Sequence, residues 1–157
     1  MEYSLIAFDL LTMNLQILHE PISFHLYGCS GRATNNNYTE TAFTLSGKMW
    51  QVVKAQDLKN KGMNVWAYEP GEAVFAGVEL EDTPPQGTGL EEKTIHLVKY
   101  AHYKHIGSYK LLQQIGAQMR EGILERGFEI MLPYVEVYGH WQSDETRLET
   151  ELFMCLK

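Results

Sequence analysis

Cysteine is scarce: Cys29 and Cys155 are the two thiols among 157 residues. They lie far apart and form no CxxC pair, which excludes a disulfide framework and reads as two buried free thiols in a reducing cytoplasm. No apolar run reaches the ~18 residues of a membrane span. The opening stretch carries Glu2 and Asp9 and no basic region, so it does not read as a signal peptide. Basic residues are in the minority, 13 against 20 acidic, for a net charge of -7. With no Lys/Arg cluster the counterion-release footprint of a nucleic-acid binder is missing. A negative field instead favours cationic ligands, weakly at ordinary salt.

Catalytic and cofactor signatures are absent as well. There is no G-x-S-x-G, no P-loop and no Rossmann glycine pattern, and no cofactor is expected. Cys29 and His25 fall on one strand face, but nothing near them in sequence activates a thiol. Six histidines invite a metal reading. However, His102 and His105 point to opposite faces of a strand and join no ligand spacing, so no metal is expected.

What is present is a repeated order of elements. Residues 15–33 read as a strand interrupted near Glu20-Pro21, because proline lacks the ladder donor. A polar loop follows, then a helix over 41–59 with Phe43, Leu45, Met49, Val52 and Val53 at helical spacing. Gly62 is placed as its terminating glycine. Strands over 64–69 and 72–80 are joined at Pro70-Gly71, a turn dipeptide. Residues 82–89 have linker composition. The order then recurs: one strand over 93–106, a helix over 108–126 capped by Ser108 and closed by Gly127, and strands over 134–141 and 148–156. Leu112, Ile115, Met119 and Ile123 form the second helix's stripe. Lys61-Gly62-Met63 and Arg126-Gly127-Phe128 match as helix ends.

The expectation is therefore a single α+β domain of duplicated βαββ units, about 15–81 and 93–157, with an N-terminal arm over 1–14. The two units form one curved antiparallel sheet with two helices on its outer face. The inner face is left as a ligand cleft between the halves.

The motifs His105-Ile-Gly-Ser-Tyr109, Arg126-Gly-Phe-Glu129, Glu136-Val-Tyr138 and Thr150-Glu-Leu-Phe153 resemble the GyrI-like effector-binding domain of multidrug-sensing regulators. Trp50 and the strand Val74-Phe-Ala-Gly-Val-Glu79 resemble that domain's first half. The resemblance implies the duplicated βαββ fold with a pocket between halves, and a pocket glutamate that pairs with lipophilic cations. The matching position here is Glu151. The regulators carry a helix-turn-helix domain, and the residues before Leu15 leave no room for one, so a stand-alone module is expected. His105 is expected to make a structural hydrogen bond at the entry to the second helix.

Strand alternation puts Glu149, Glu151 and Phe153 on one face, where a solvated edge is the plain alternative to a pocket. Trp50, Tyr68, Tyr138 and Trp141 sit near ends of elements facing the expected cleft, where cation–π contacts are worth roughly 0.5–2 kcal/mol each. The candidate site is thus Glu151, Trp50, Tyr68, Tyr138, Trp141 and Phe153. The expected function is binding of hydrophobic cationic small molecules in the cytoplasm. The alternatives are a hydrolase of electrophilic cyclopropane-type compounds and a protein-interaction module of the gyrase-inhibitor type. A protein partner or homodimer is compatible with either.

Overall fold

The computed structural model describes residues 13–157. Most of the expected N-terminal arm, residues 1–12, lies outside the described residues. The elements in chain order are β1 (Gln16–Leu18), β2 (Ile22–Arg32), α1 (Tyr38–Ala55), β3 (Asn60–Glu69), β4 (Ala73–Leu80), β5 (Glu91–Leu97) and β6 (Tyr100–Ile106). There follow a 3-10 turn (Tyr109–Leu111), α2 (Leu112–Glu125), β7 (Ile130–Tyr138), a second 3-10 turn (Glu145–Arg147) and β8 (Glu149–Leu156). Eight strands form one antiparallel sheet in the order β1-β6-β8-β7-β3-β4-β2-β5. No helix among the described residues is long and apolar enough to cross a membrane.

Both helices lie on one face, as expected. Ala42, Leu45, Met49 and Val53 of α1 pack over β3 and β4 through Trp66, Val74, Ala76 and Val78. Met119 and Ile123 of α2 pack on Ala101, Leu152 and Met154 of β6 and β8. Phe43, expected in the α1 stripe, is 71% exposed, because the buried face is set by Ala42, Leu45, Ser46, Met49 and Val53.

The sheet is symmetric about its centre. β3 and β7 pair with Trp66 opposite Glu136 at the middle of the register. These two residues stand the same number of positions beyond the left-handed residues that end α1 and α2. At α2 that residue is Gly127 (φ 82). Its amide bonds to the Leu124 carbonyl, and Phe128 N–H bonds to the Ile123 carbonyl, the Schellman pattern. At α1 the same pattern falls on Asp57 (φ 50), with Leu58 N–H bonding to the Val53 carbonyl. The expected match of Gly62 with Gly127 is therefore corrected. Gly62 lies inside β3, at the irregularity between Asn60 and Asn64. Its φ is 79, and a Cβ there would meet the His140 ring.

The strand expected over 93–106 is two strands. Ile95 and Leu97 point into the helix-free face, and so does Tyr100, so the alternation slips by one residue at Val98-Lys99. Val98 is left 58% exposed at the break. β5 then pairs with β2 at one edge of the sheet, while β6 pairs with β1 and β8 near the other. Short connections between such distant strands require the sheet to curl. The helix-free face, expected to be the open cleft, is consequently filled over most of its length. Phe24, Leu26, Val65, Phe75, Val135 and Phe153, with neighbours from other strands, form one buried cluster there.

Ser108 opens the second helical segment as expected, its hydroxyl accepting from Lys110 N–H at 3.2 Å. His105 is buried, and its Nε2 donates to the Ser108 carbonyl at 3.0 Å.

Candidate functional site

β3 and β7 run side by side beneath the gap between the two helices. Alternation sends Asn64, Trp66 and Tyr68 of β3, and Tyr134, Glu136 and Tyr138 of β7, toward that gap. Neither helix covers the central strip, because α1 packs mainly on β2 and β4 and α2 on the opposite half of the sheet. The result is a cavity of about 980 Å³, with Trp50 and Phe43 on the α1 wall and Gly116 and Arg120 on the α2 wall. That volume is at the upper end of small-molecule sites.

Glu136 stands at the centre of this floor. Tyr68 Oη donates to its Oε1 at 2.9 Å and Tyr134 Oη to its Oε2 at 3.0 Å. The Tyr138 hydroxyl acts on the same carboxyl without reaching hydrogen-bond geometry. Burial pushes the Glu136 carboxyl above its ordinary range, and the phenol donors oppose that rise. The Tyr68, Tyr134 and Tyr138 hydroxyls are all raised, first by burial and then by the neighbouring carboxylate. Among the described residues no Lys, Arg or His forms an ion pair with Glu136.

The rings around this carboxyl are mutually packed. Tyr68 and Tyr134 stack at 5.7 Å, Trp66 and Tyr138 lie at 4.7 Å, and Tyr109 meets Tyr138 edge-on at 5.4 Å. Two polar atoms on the floor have no partner among the described residues: the indole nitrogen of Trp66 and Oδ1 of Asn64. Asn64 spends its amide nitrogen on Ser46 Oγ at 2.8 Å.

Of the residues expected at the site, Trp50, Tyr138 and Trp141 line this cavity. Trp141 is 75% exposed at the mouth. Tyr68 stands on the same face but is covered by Tyr38 and does not line the cavity; it reaches the site through its hydrogen bond to Glu136. Glu151 and Phe153 do not join them. Both project from the opposite face of β8, where Phe153 is buried against Phe24 at 5.3 Å. Glu151 lines a separate cavity of about 340 Å³ on that face. There His102 Nε2 donates to Glu151 Oε1 at 2.9 Å. That hydrogen bond holds the Glu151 carboxyl below its ordinary range, against the effect of partial burial. No group of three or more His, Cys, Asp or Glu able to hold a metal occurs among the described residues.

Sequence reasoning missed Glu136, Trp66 and Tyr134. The signal was available in the alternation itself. Tyr134-x-Glu136-x-Tyr138 and Asn64-x-Trp66-x-Tyr68 each place three large polar or aromatic groups on one strand face.

No family profile and no curated protein matches the chain by sequence. Solved structures do match. SAV2435 bound to tetraphenylphosphonium superposes with a TM-score of 0.61 at 19% identity, over 92% of this chain and 93% of that one. The EcmrR C-terminal domain gives 0.65 at 16% identity, over 92% and 99%. A hydrolase from Listeria innocua gives 0.52 at 8% identity, over 91% of each chain. The chain shares their fold. It is the α+β architecture that the resemblance to GyrI-like domains implies, with its curved antiparallel sheet and two helices on one face.

Proposed function

We propose that the inter-helix cleft binds lipophilic organic cations and that Glu136 supplies the counter-charge. The observation that carries this reading is a buried carboxyl, held only by phenol donors, at the centre of an aromatic floor. A carboxylate in such a place is costly unless a cation neutralises it. A delocalised cation suits the site, since its charge is spread over apolar surface and it faces rings that attract it. That a structure of this fold, SAV2435, holds tetraphenylphosphonium supports the same chemistry. Net charge -7 adds a weak long-range bias in the same direction.

Tryptophan fluorescence titration tests the reading, with tetraphenylphosphonium as cation and triphenylphosphine oxide as a neutral ligand of similar shape. Glu136→Gln keeps the size and hydrogen-bonding capacity but removes the charge. It weakens the cation by about 1–3 kcal/mol, roughly ten- to a hundredfold in Kd, and leaves the neutral ligand nearly unchanged. Equal loss for both ligands would make Glu136 a structural residue and sink the proposal.

A second reading is hydrolysis of an electrophilic ligand. It is favoured by one observation: a carboxyl with raised proton affinity lies within hydrogen-bond reach of two phenols, a pairing suited to proton transfer. Mass spectrometry of recovered ligand separates the two. A binder returns the ligand unchanged, whereas a hydrolase returns one heavier by a water.

A further inference from the structure

The helix-free face carries a second cavity that the cleft reading does not use. The sheet separates the two: Val65 and Val137 line this cavity, while their chain neighbours Trp66 and Glu136 line the cleft. At about 340 Å³ the cavity is near the lower limit of ligand sites, too small for a four-ring cation and sufficient for one ring with a short arm.

Its chemistry is specific. The floor is aromatic, with Phe153 at 5.3 Å from Phe24 and 5.8 Å from Tyr100. Its polar lining includes two carboxylates, Glu79 and Glu151, with Gln16, Lys61 and His102. Lys61 Nζ is committed to Glu79 Oε2 at 3.0 Å. His102 takes only Oε1 of Glu151, at 2.9 Å, and its ring packs on Phe153 at 4.8 Å. Oε2 of Glu151 has no hydrogen-bond partner among the described residues. An anion would face two carboxylates with the one lysine already paired. A neutral apolar ligand would gain nothing from Oε2, which water reaches on the exposed side of Glu151. A compact ammonium with three donors satisfies it directly.

We propose that this cavity is a second small-molecule site, selective for small arylalkylammonium ions, with the ring on Phe24, Tyr100 and Phe153 and the ammonium on Glu151. His102 is a positioning residue: it anchors one carboxylate oxygen and so aims the other. The cavity thus selects localised charge on a single-ring body. This inference does not depend on the function proposed for the cleft.

The test uses the full chain and benzylamine, with benzyl alcohol and benzoate as neutral and anionic controls. Methyl and aromatic NMR signals report location. Benzylamine is expected to shift Leu18, Ile22, Phe24 and Phe153 in a saturable way, and to do so equally when tetraphenylphosphonium is present in excess. The alcohol and the benzoate bind at least ~10-fold more weakly. Glu151→Gln reduces benzylamine affinity by about tenfold and leaves the tetraphenylphosphonium titration unchanged. Leu18→Trp, which adds bulk to the cavity lining while keeping the carboxylate, produces the same selective loss. The proposal is overturned if the shifted signals belong to Trp66 and Tyr138 and disappear with tetraphenylphosphonium. It is equally overturned if Glu151→Gln binds benzylamine as tightly as the native chain, or if no saturable shift occurs. Failure of tetraphenylphosphonium to bind would count against the cleft alone, since the Glu151 comparison is read independently.

Discussion

Two glutamates on adjacent strands, Glu136 and Glu151, have opposite electrostatic fates because alternation sends them to opposite sides of the sheet. Burial raises Glu136, and the His102 hydrogen bond lowers Glu151. A carboxyl raised on folding binds more protons in the native state than in the unfolded one, so stability falls as pH rises above the ordinary carboxylate value. Replacing Glu136 by Gln removes that loss. The variant is expected to melt higher than the native protein at pH about 7, with the difference vanishing near pH about 3, well below the ordinary carboxylate value, where both states are protonated. A lowered carboxyl behaves in the reverse sense. Its contribution is present above the ordinary value and is lost as pH falls through the folded value. Glu151→Gln is therefore expected to melt slightly lower at neutral pH and to converge with the native protein in acid. The effect is small, since the Glu151 side chain is 38% exposed. Melting curves of the two variants across this range check both signs, and a shared sign would refute the assignment of the two environments. Ligand binding adds a further consequence. A cation on Glu136 favours the ionised form, so tetraphenylphosphonium binding should weaken as pH falls toward the carboxyl's raised value and should release protons. Calorimetry in two buffers of different ionisation enthalpy detects that release.

Elements with strong period were legible in the sequence, and their joints were not. Both helices form within the 3.6-residue patterns, although α1 runs over Tyr38–Ala55 rather than to 59, and the Pro70-Gly71 hairpin forms with Gly71 at φ 77. The errors fell where a local rule had two possible bearers. Gly62 offered a glycine after a helical run, yet α1 ends at Ala55, and the left-handed position falls on Asp57, a residue that adopts it at some cost. The slip at Val98-Lys99 was hidden because a continuous β-rich stretch gives no sign of a phase change until its partners are known. The site had the same character. Aromatic residues near strand ends were recognisable, but the face each strand turns to the helices depends on register, and register chose Glu136 for the cleft. The helix-end assignment is testable. Asp57→Gly relieves the left-handed position and is expected to stabilise the fold by ~0.5–1 kcal/mol. Gly127→Ala places a Cβ at φ 82 in the equivalent turn and is expected to destabilise by about 1 kcal/mol. Denaturant midpoints measure both. An unchanged Asp57→Gly would show that the side chain compensates its backbone strain.

The symmetry of the whole molecule determines what a ligand in the cleft can do. The central pairing of Trp66 with Glu136 lies on the line that divides the halves, so one half supplies an indole where the other supplies a carboxyl. The two halves are thereby unequal at the cleft floor, which carries one carboxyl rather than a symmetric pair, and one cleft ligand per chain is expected. A ligand there would meet α1 at Trp50 and the α2 side at Tyr109 and Arg120, two helices with few direct contacts to each other. Occupancy should therefore tie the halves together. At a free concentration of 100 Kd the ligand adds about 2.7 kcal/mol of stability by mass action alone. If it bridges the halves, amide exchange should slow in both α1 and α2, and equally in the central strands β3 and β7. Protection confined to α2 would place the ligand against one wall only. Trp50→Ala separates these outcomes further. It removes the α1 contact while leaving Glu136 and its phenols in place, so it should weaken cationic and neutral ligands alike by roughly 1–2 kcal/mol. Under that variant the protection of α1 should fall while that of α2 persists.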